Sequence, residues 1–224
     1  MLFVSKLLNW HETQSFSFPW RDTKDPFKIL VSELLLRKTT RNQVSRLYEP
    51  FFSIYPNVEA LLSADRNSLE EMIRPLGMEH IRAVALKDLA EAIISKHHGR
   101  VPNRREQLLS LPHVGPYIAN AVLCFAFGKD VPLLDTNSIR VVSRVFTFKS
   151  VKKRAREDSS LWRKVEEMIP RGKARNFNFA ILDFAASICT SKNPKCFICP
   201  MLVICDYGKL FTKQPETVTE DKPT

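Results

Sequence analysis

The chain has 224 residues, of which 44% are hydrophobic, so it can bury the core of one large domain or of two small interlocked ones. No apolar run approaches the ~20 residues of a membrane span. The opening MLFVSKLLNWHE is too short and too soon polar for a signal peptide, so we expect an intracellular protein. The formal charge of +10 favours a polyanionic partner, most commonly nucleic acid, over a merely basic protein.

Helical periodicity runs through nearly the whole chain, with Pro and Gly between the periodic segments. Residues 28–38 are too continuously apolar for a surface helix and predict a buried one. Apolar residues at i, i+3, i+4 spacing predict further helices over 41–54, 58–64, 67–75, 79–97, 104–110, 116–127, 136–146, 160–169 and 174–188. Since no strand pattern of any length competes, the sequence predicts an all-α fold.

Two stretches differ from the rest in composition. Residues 147–158, TFKSVKKRARED, form a strongly basic connection between two predicted helices. Residues 212–224, TKQPETVTEDKPT, are polar and contain proline, so we expect a disordered tail there.

Four of the five cysteines lie close together near the C-terminus with the spacing C-x6-C-x2-C-x5-C. They are Cys189, Cys196, Cys199 and Cys205. Intracellular thiols this close favour a metal site over disulfides. Four thiolates suit a tetrahedral zinc ion or a cubane iron–sulfur cluster, and the spacing alone leaves the two about equally favoured. The fifth, Cys124, lies in an apolar helical stretch and is predicted to be a small buried hydrophobe.

A Pro-x-Val-Gly turn lies between two predicted helices, within Leu111–Tyr117. Such a turn directs backbone N–H groups outward at a helix N-terminus, which can bind a phosphate without reading sequence. Taken alone, it is more often an ordinary interhelical turn. Eighteen residues after Tyr117 comes Asp135, just before the helix predicted over 136–146. At that position an aspartate is expected to cap the helix, whatever else it does.

Taken together and in this order, the motifs resemble those of the helix-hairpin-helix DNA glycosylases. The resemblance runs from Phe18 to about Tyr207 and includes FPWR at 18–21, SELLL at 32–36, PLGM at 75–78, the hairpin, the Asp135 loop, LDFAA at 182–186 and the cysteine loop. It implies a two-lobed helical fold. A six-helix barrel domain would span 28–139, with the hairpin at about 104–127. An iron–sulfur cluster domain would combine 1–27 with 140–211.

The cysteine spacing resembles the cluster loop of the endonuclease III and MutY glycosylases, which implies a 4Fe–4S cluster rather than zinc. Such a cluster would hold residues 190–195, whose Lys192 and Lys195 can reach DNA phosphates. Solvated surface charge is the alternative role for either lysine alone.

The resemblance also implies roles in catalysis. Breaking an N-glycosidic bond builds positive charge on the sugar, and Asp135 is the carboxylate expected to stabilise that charge and to orient water. Glu33, inside an apolar helix, is expected in the base pocket, either as an acid of raised pKa or as a structural acid. Tyr117 is expected to stack on an extruded base. Endonuclease III has its Schiff-base lysine at this position, so no imine route is expected here.

The hairpin departs from the family pattern, because His113 replaces the first glycine of Pro-Gly-Val-Gly. If the position requires φ > 0, a non-glycine residue costs about 1 kcal/mol, which a phosphate contact by His113 would offset. Val114 and Gly115 complete the expected phosphate site. The target base must leave the helix; Arg37 and Lys38, or the Met78–His80 loop, are candidates to fill the gap and contact the opposite base.

Within the family, the chain looks most like the Mig-type thymine–DNA glycosylases. Arg37 and Lys38 match their basic motif, where MutY carries Gln-Gln-Thr, and the chain ends before a MutY-like domain that reads 8-oxoguanine. The expected function is monofunctional removal of thymine or uracil opposite guanine, by a monomer acting on double-stranded DNA. An adenine or other damaged-base glycosylase and a non-catalytic DNA-binding module are the alternatives.

Overall fold

The computed structural model describes residues 2–212, and no strand occurs among them. The helices are α1 Leu2–Glu12, α2 Pro26–Leu35, α3 Arg41–Ile54, α4 Val58–Ser63, α5 Arg66–Ile73, α6 Glu79–His97, α7 Arg105–Leu109, α8 Pro116–Phe125, α9 Thr136–Phe146, α10 Ser159–Glu166, α11 Ala174–Ser187 and α12 Asp206–Thr212. Short 3₁₀ turns lie at Pro19–Arg21, Arg74–Leu76, Ala155–Glu157, Cys196–Ile198 and Leu202–Ile204. Within the described part of the chain, every helix is too short or too polar to cross a bilayer.

The contacts divide the chain into two compact units. One combines Met1–Ser15 with Leu134–Thr224, and the other is Phe16–Leu133. These boundaries differ from the predicted ones at 27/28 and 139/140. Trp20 belongs to the second unit because it lies against Tyr48 of α3, with ring centroids 6.4 Å apart. Leu134 and Ile139 belong to the first because they are part of its hydrophobic core.

Helix α2 is the buried centre of the unit Phe16–Leu133. The side chain of Asp25 caps it by accepting hydrogen bonds from the backbone N–H groups of Phe27 and Lys28, and Pro26 occupies its first position. Every residue from Ile29 to Leu35 is buried. The helix packs against α8, α3 and α6, so its apolar residues on all sides have a partner. The buried helix predicted over 28–38 is confirmed as far as Leu35, where α2 ends, whereas Arg37 and Lys38 beyond it are exposed.

The other unit has its own core, formed where α1 and α9 pack against α11. Phe177 and Phe184 of α11 are almost fully buried, as are Leu7 of α1 and Val142 of α9. Helix α12 packs on α9, which brings the cysteine segment that precedes α12 against the same helix. Helix α9 therefore carries the cysteine segment along its length and Asp135 at its start.

The helix predictions over 41–54, 79–97 and 136–146 agree with α3, α6 and α9 at both ends. The other seven differ from the observed helices by one to three residues, at one end or at both. Helices α1 and α12 were not predicted. The opening segment was considered only as a possible leader, yet Phe3, Val4 and Leu7 form a buried stripe of a helix. The predicted tail begins at Thr212, the last residue of α12; residues 213–224 lie outside the described part.

Candidate functional site

The helix-hairpin-helix consists of α7, the turn 110–115 and α8. Gly115 is the N-cap of α8 and Pro116 its first residue, and no side chain caps the helix. Val114 is buried, and its N–H donates to the carbonyl oxygen of Leu111 at 3.4 Å. An uncapped helix N-terminus at the surface is suited to a phosphate oxygen, because its backbone N–H groups and the helix dipole both favour an anion.

His113 has the left-handed backbone conformation that favours glycine, with φ +63°. Its imidazole Nε2 lies 3.0 Å from Oδ2 of Asp88 on α6. The positive φ is therefore present at the position where the family has glycine. The side chain, expected to contact a phosphate, contacts a carboxylate in this structure.

The backbone strain at His113 predicts an order of stability for two variants. Both His113→Gly and His113→Ala lose the contact with Asp88, but only the alanine keeps a Cβ at φ +63°. We expect thermal or urea unfolding to show H113G more stable than H113A by about 1 kcal/mol. Gly128→Ala is a matched control, since Gly128 has φ +67° with nothing within 4 Å of a new Cβ, and it should lose a similar amount. Equal stability of H113G and H113A would contradict the strain.

One open pocket of about 150 Å³ brings several predicted residues together within the unit Phe16–Leu133. Arg37 and Lys38, which follow α2, line it with His113 of the hairpin. Met78, at the start of α6, completes that rim, and its side chain is 44% exposed. The structure thus places the basic pair, the hairpin and the PLGM turn at one place, although they are distant in sequence.

Arg82, a residue that the sequence analysis missed, holds this rim in shape. Its buried guanidinium donates to the carbonyl oxygens of Leu34 and Leu35 at the end of α2, of Arg37 and of Gly77, at 2.6–3.2 Å. Burial, with the nearby Arg37 charge, lowers the pKa of Arg82 from its ordinary value. Arg82 lies on the apolar face of α6, beside the buried Ala83 and Leu86. An arginine among apolar residues of a predicted helix could have indicated this role, because a buried cation requires buried acceptors.

The turn before α6 has two successive residues of positive φ, Gly77 at +70° and Met78 at +56°. His80, two residues further on, is not among the residues that line the pocket. Its Nδ1 lies 2.5 Å from Oε2 of Glu70, and the other oxygen of Glu70 accepts from Arg66 Nε at 2.8 Å. The Arg66 hydrogen bond is the largest cause that lowers the pKa of Glu70. Glu70 therefore orients the His80 imidazole, whose side chain is 74% exposed.

Glu33 and Tyr117 lie on the packed pair α2 and α8. Glu33 is 8% exposed, with the buried Ile29 and Leu30 on preceding positions of the helix. Tyr117 lies in the first turn of α8, directly after the hairpin, and is half-buried. A buried carboxyl and a partly exposed phenol ring on neighbouring helices are groups able to contact a flat heterocycle through hydrogen bonding and stacking.

In the other unit, Asp135 caps α9. Its Oδ1 accepts hydrogen bonds from the N–H groups of Asn137 (2.9 Å) and Ser138 (2.7 Å) and from the Ser138 hydroxyl (2.9 Å), and its Oδ2 accepts from Asn137 Nδ2 (2.8 Å). The carboxylate is half-buried. Four donors hold it in one orientation at the N-terminal end of the helix dipole.

Two arginines of α9, one turn apart, connect this cap to the cysteine segment. Arg140 donates through Nη1 to Asn137 Oδ1 and through Nε to the carbonyl oxygen of Cys189, both at 2.9 Å. Arg144 Nη1 donates to the carbonyl of Thr190 at 2.7 Å and lies 3.5 Å from Cys189 Sγ. The sequence analysis missed both arginines. Their i, i+4 spacing is visible in the sequence, but the acceptors that they bind in the cysteine segment lie more than 40 residues away.

All four clustered cysteines line one small pocket. Within residues 2–212, no group of three or more His, Cys, Asp or Glu side chains has the close arrangement of a bound metal ion. Burial raises the pKa of the Cys199 thiol to about 11 and raises those of Cys196 and Cys205. Four buried or half-buried thiols that line one pocket are a donor set that fits a thiolate-bound metal centre.

Lys192 and Lys195 are exposed on the segment between the first two of these cysteines. The segment is folded back, because the Thr190 hydroxyl donates to the carbonyl of Lys192 at 2.8 Å and the N–H of Lys195 donates to the carbonyl of Ile188 at 3.0 Å. Cys124, in contrast, is 1% exposed inside α8, as predicted for a structural residue.

Comparison with known proteins agrees with the predicted family. Residues 31–167 match the model of the HhH-GPD superfamily base excision DNA repair protein. The thymine/uracil-DNA glycosylase of Pyrobaculum aerophilum is 45% identical over 89% of this chain and 88% of that protein. The thymine-DNA glycosylase of Aeropyrum pernix is 45% identical over 92% of this chain and 98% of that protein.

The fold agrees as well. The solved structure of a thermostable thymine-DNA glycosylase superimposes with a TM-score of 0.88 at 39% identity, covering 93% of this chain and 96% of that one. The all-α prediction is confirmed by this match and by the helices described above. The chain belongs to the HhH-GPD superfamily of base excision DNA repair proteins.

Proposed function

We propose that this protein is a monofunctional DNA glycosylase that hydrolyses the N-glycosidic bond of thymine or uracil opposite guanine. The observation that carries the proposal is the Asp135 carboxylate, fixed by four donors at the start of α9. An aspartate at that place also caps the helix, and membership of the HhH-GPD base excision DNA repair superfamily favours a catalytic role for it over a DNA-binding module. The names of relatives 40–45% identical, thymine-DNA and thymine/uracil-DNA glycosylase, support the choice of base.

In the proposed reaction, the bond between C1′ and the base nitrogen breaks while water adds to C1′. Positive charge develops on the sugar ring as the base leaves with the bonding electrons. The fixed negative charge of Asp135 would stabilise that positive charge. Its Oδ2, which accepts one hydrogen bond where Oδ1 accepts three, can orient the water and accept its proton. Because the hydrogen bonds to Asn137 and Ser138 exist before substrate binds, little reorganisation is needed in the transition state.

We assign the extruded base to Glu33 and Tyr117. The Tyr117 ring would stack on the base. The Glu33 carboxyl, in its protonated form, would donate a hydrogen bond to the base and so stabilise the negative charge of the departing pyrimidine. Tyr117 offers no amine for an imine with the sugar, so the abasic product is expected to be released with its strand intact.

The DNA backbone is proposed to bind at the uncapped N-terminus of α8, through the amides around Val114 and Gly115, with His113 beside it. Arg37 and Lys38 are proposed to contact the orphaned guanine, whose O6 and N7 suit a bidentate arginine. Met78, which has a positive φ and is 44% exposed, is the candidate to fill the gap in the base stack, with His80 two residues further on. Lys192 and Lys195 are assigned to phosphates.

Cys189, Cys196, Cys199 and Cys205 are proposed to hold a 4Fe–4S cluster. The spacing, which resembles the cluster loop of the endonuclease III and MutY glycosylases, and the one pocket that all four cysteines line support a cluster over a single zinc ion. When bound, the cluster would fix the cysteine segment. Arg140 and Arg144 would transmit that fixed position to α9, and thereby to Asp135.

A strand-cleavage panel tests the proposal. Duplexes with G·T, G·U, adenine·8-oxoguanine, A·G and hypoxanthine pairs are incubated with the protein, and part of each sample is treated with alkali. We expect strand breaks in the G·T and G·U duplexes only after alkali, and no covalent trapping by borohydride. Breaks without alkali together with efficient trapping would contradict the monofunctional assignment, and no base release from any duplex would contradict the glycosylase itself.

A further inference from the structure

The basic connection between α9 and α10 is not used by the proposed site. Its five cations, all exposed, are Lys149, Lys152, Lys153, Arg154 and Arg156. Among the described contacts, the one ion pair in this loop joins Arg154 to Glu157 at 3.4 Å, and both partners are more than half exposed. The loop therefore presents five cations against two carboxylates of the same stretch, Glu157 and Asp158.

A buried carboxylate gives this loop a defined shape. Asp158 is 3% exposed. Its Oδ2 accepts from the Ser150 hydroxyl at 2.8 Å and from the N–H of Val151 at 3.1 Å, while its Oδ1 accepts from the N–H of Ser160 at 3.0 Å. The Ser160 hydroxyl also donates to Oδ1 at 2.7 Å, and this hydrogen bond, with the one from the Ser150 hydroxyl, lowers the pKa of Asp158 well below its ordinary value. The loop therefore folds around the Asp158 carboxylate, and its five cations remain exposed to solvent.

Aromatic contacts hold the two ends of the loop. Phe148 stacks on Phe146 at the end of α9, with centroids 5.3 Å apart, and Lys164 Nζ of α10 lies 4.5 Å from the centre of the Phe148 ring. Trp162 Nε1 donates to the carbonyl of Arg156 at 2.8 Å. The ordering of the ends reduces the entropy that the cations would lose on binding a polyanion.

The loop follows the last residue of α9, and Asp135 caps the first. Eleven residues of α-helix span about 16 Å at 1.5 Å per residue. Successive phosphates of one strand follow at about 3.4 Å along the duplex axis. The loop therefore begins about 16 Å from the carboxylate, a distance equal to about five nucleotides along one strand. It lies beyond the nucleotide on which the chemistry occurs.

We infer that the loop 149–156 is a second phosphate-binding surface, which contacts the backbone of the substrate duplex at a distance from the extruded base. The inference rests on the proposed function, since it takes duplex DNA as the polyanion. The loop would add affinity and salt dependence without reading sequence, and would leave the rate of base release by bound enzyme unchanged.

The test compares two triple variants of equal charge change. One removes loop cations, Lys152→Gln, Lys153→Gln and Arg156→Gln. The control removes three exposed cations of the other unit, Lys96→Gln, Arg100→Gln and Lys129→Gln. Dissociation constants are measured against salt on a G·T duplex of about 30 base pairs, together with single-turnover thymine release at saturating enzyme. We expect the slope of log K on log salt to be smaller by about 2 to 3 in the loop variant and nearly unchanged in the control.

Position on the duplex is tested with the mispair moved to about four pairs from either end. The difference between the loop variant and wild type should disappear in one of the two end-placed duplexes, because the phosphates that the loop contacts are then missing. Equal slopes for the loop variant and the control on the centred duplex would overturn the inference, while wild-type binding and base release would still support the proposed function. Failure of wild type to bind or cleave would instead overturn the proposed function.

Discussion

Asp135→Asn is expected to lower the single-turnover rate of thymine release by at least about 100-fold, while DNA binding persists. The amide retains one oxygen that can accept from the N–H groups of Asn137 and Ser138, so the cap of α9 is largely preserved. It cannot carry the negative charge that opposes the developing charge on the sugar, and its NH₂ group cannot accept from Asn137 Nδ2 as Oδ2 does. The measurement is quenched single-turnover kinetics on a G·T duplex, with binding measured separately.

Asp65→Asn is the matched control. Asp65 caps α5 in the same manner, with Oδ2 accepting from the N–H of Ser68 at 2.9 Å and from its hydroxyl at 3.0 Å, but it belongs to the other unit. We expect D65N to release thymine at the wild-type rate with a similarly small change in stability. If D135N also retained a rate close to wild type, Asp135 would be a cap and nothing more.

Cys189→Ser is expected to abolish the iron content and to lower the yield of soluble protein severalfold. Wild type should be yellow-brown, with broad absorbance near about 400 nm and about four irons per chain. The substitution removes one of the four cysteine ligands that line the pocket. It also removes the sulfur that lies beside Arg144. Because metal binding and folding are coupled, much of the loss should appear as unfolded or aggregated protein.

Cys124→Ser controls for the general effect of placing a hydroxyl where a thiol was buried. Cys124 is 1% exposed, so the serine should cost roughly 1–3 kcal/mol of stability while iron content and colour stay at the wild-type level. Metal analysis by mass spectrometry, with visible absorbance, distinguishes the two variants. A colourless wild-type protein with one zinc per chain would contradict the cluster, and the zinc alternative would then apply.

Helices α2 to α11 were predictable because their signals, above all apolar periodicity, are local. Helix α3 begins after Thr40 and its capping box with Gln43, and α9 begins after Asp135, so the start of each helix is encoded in a few neighbouring residues. The four cysteines and the hairpin were also recognisable as motifs, since their spacing is local. These are the features for which sequence order and spatial order coincide.

The contacts that shape the candidate site were not predictable, because they join residues that are distant in sequence. Arg82 satisfies carbonyl groups nearly fifty residues earlier in the chain, and Arg140 satisfies one nearly fifty residues later. Nothing in the local sequence identifies those acceptors. His113 shows the same limit, because its positive φ followed from the family pattern, whereas its contact with Asp88 depends on how α6 packs beside the hairpin.

The most direct test of the account is the ratio of two single-turnover rates within the proposed panel, thymine release from G·T and adenine release from adenine·8-oxoguanine, measured at saturating enzyme in one buffer. The basic pair Arg37 and Lys38 beside the hairpin and the names of the 40–45% identical relatives predict that thymine leaves faster. Faster release of adenine would contradict the assignment of the substrate, whereas the family and the fold would stand.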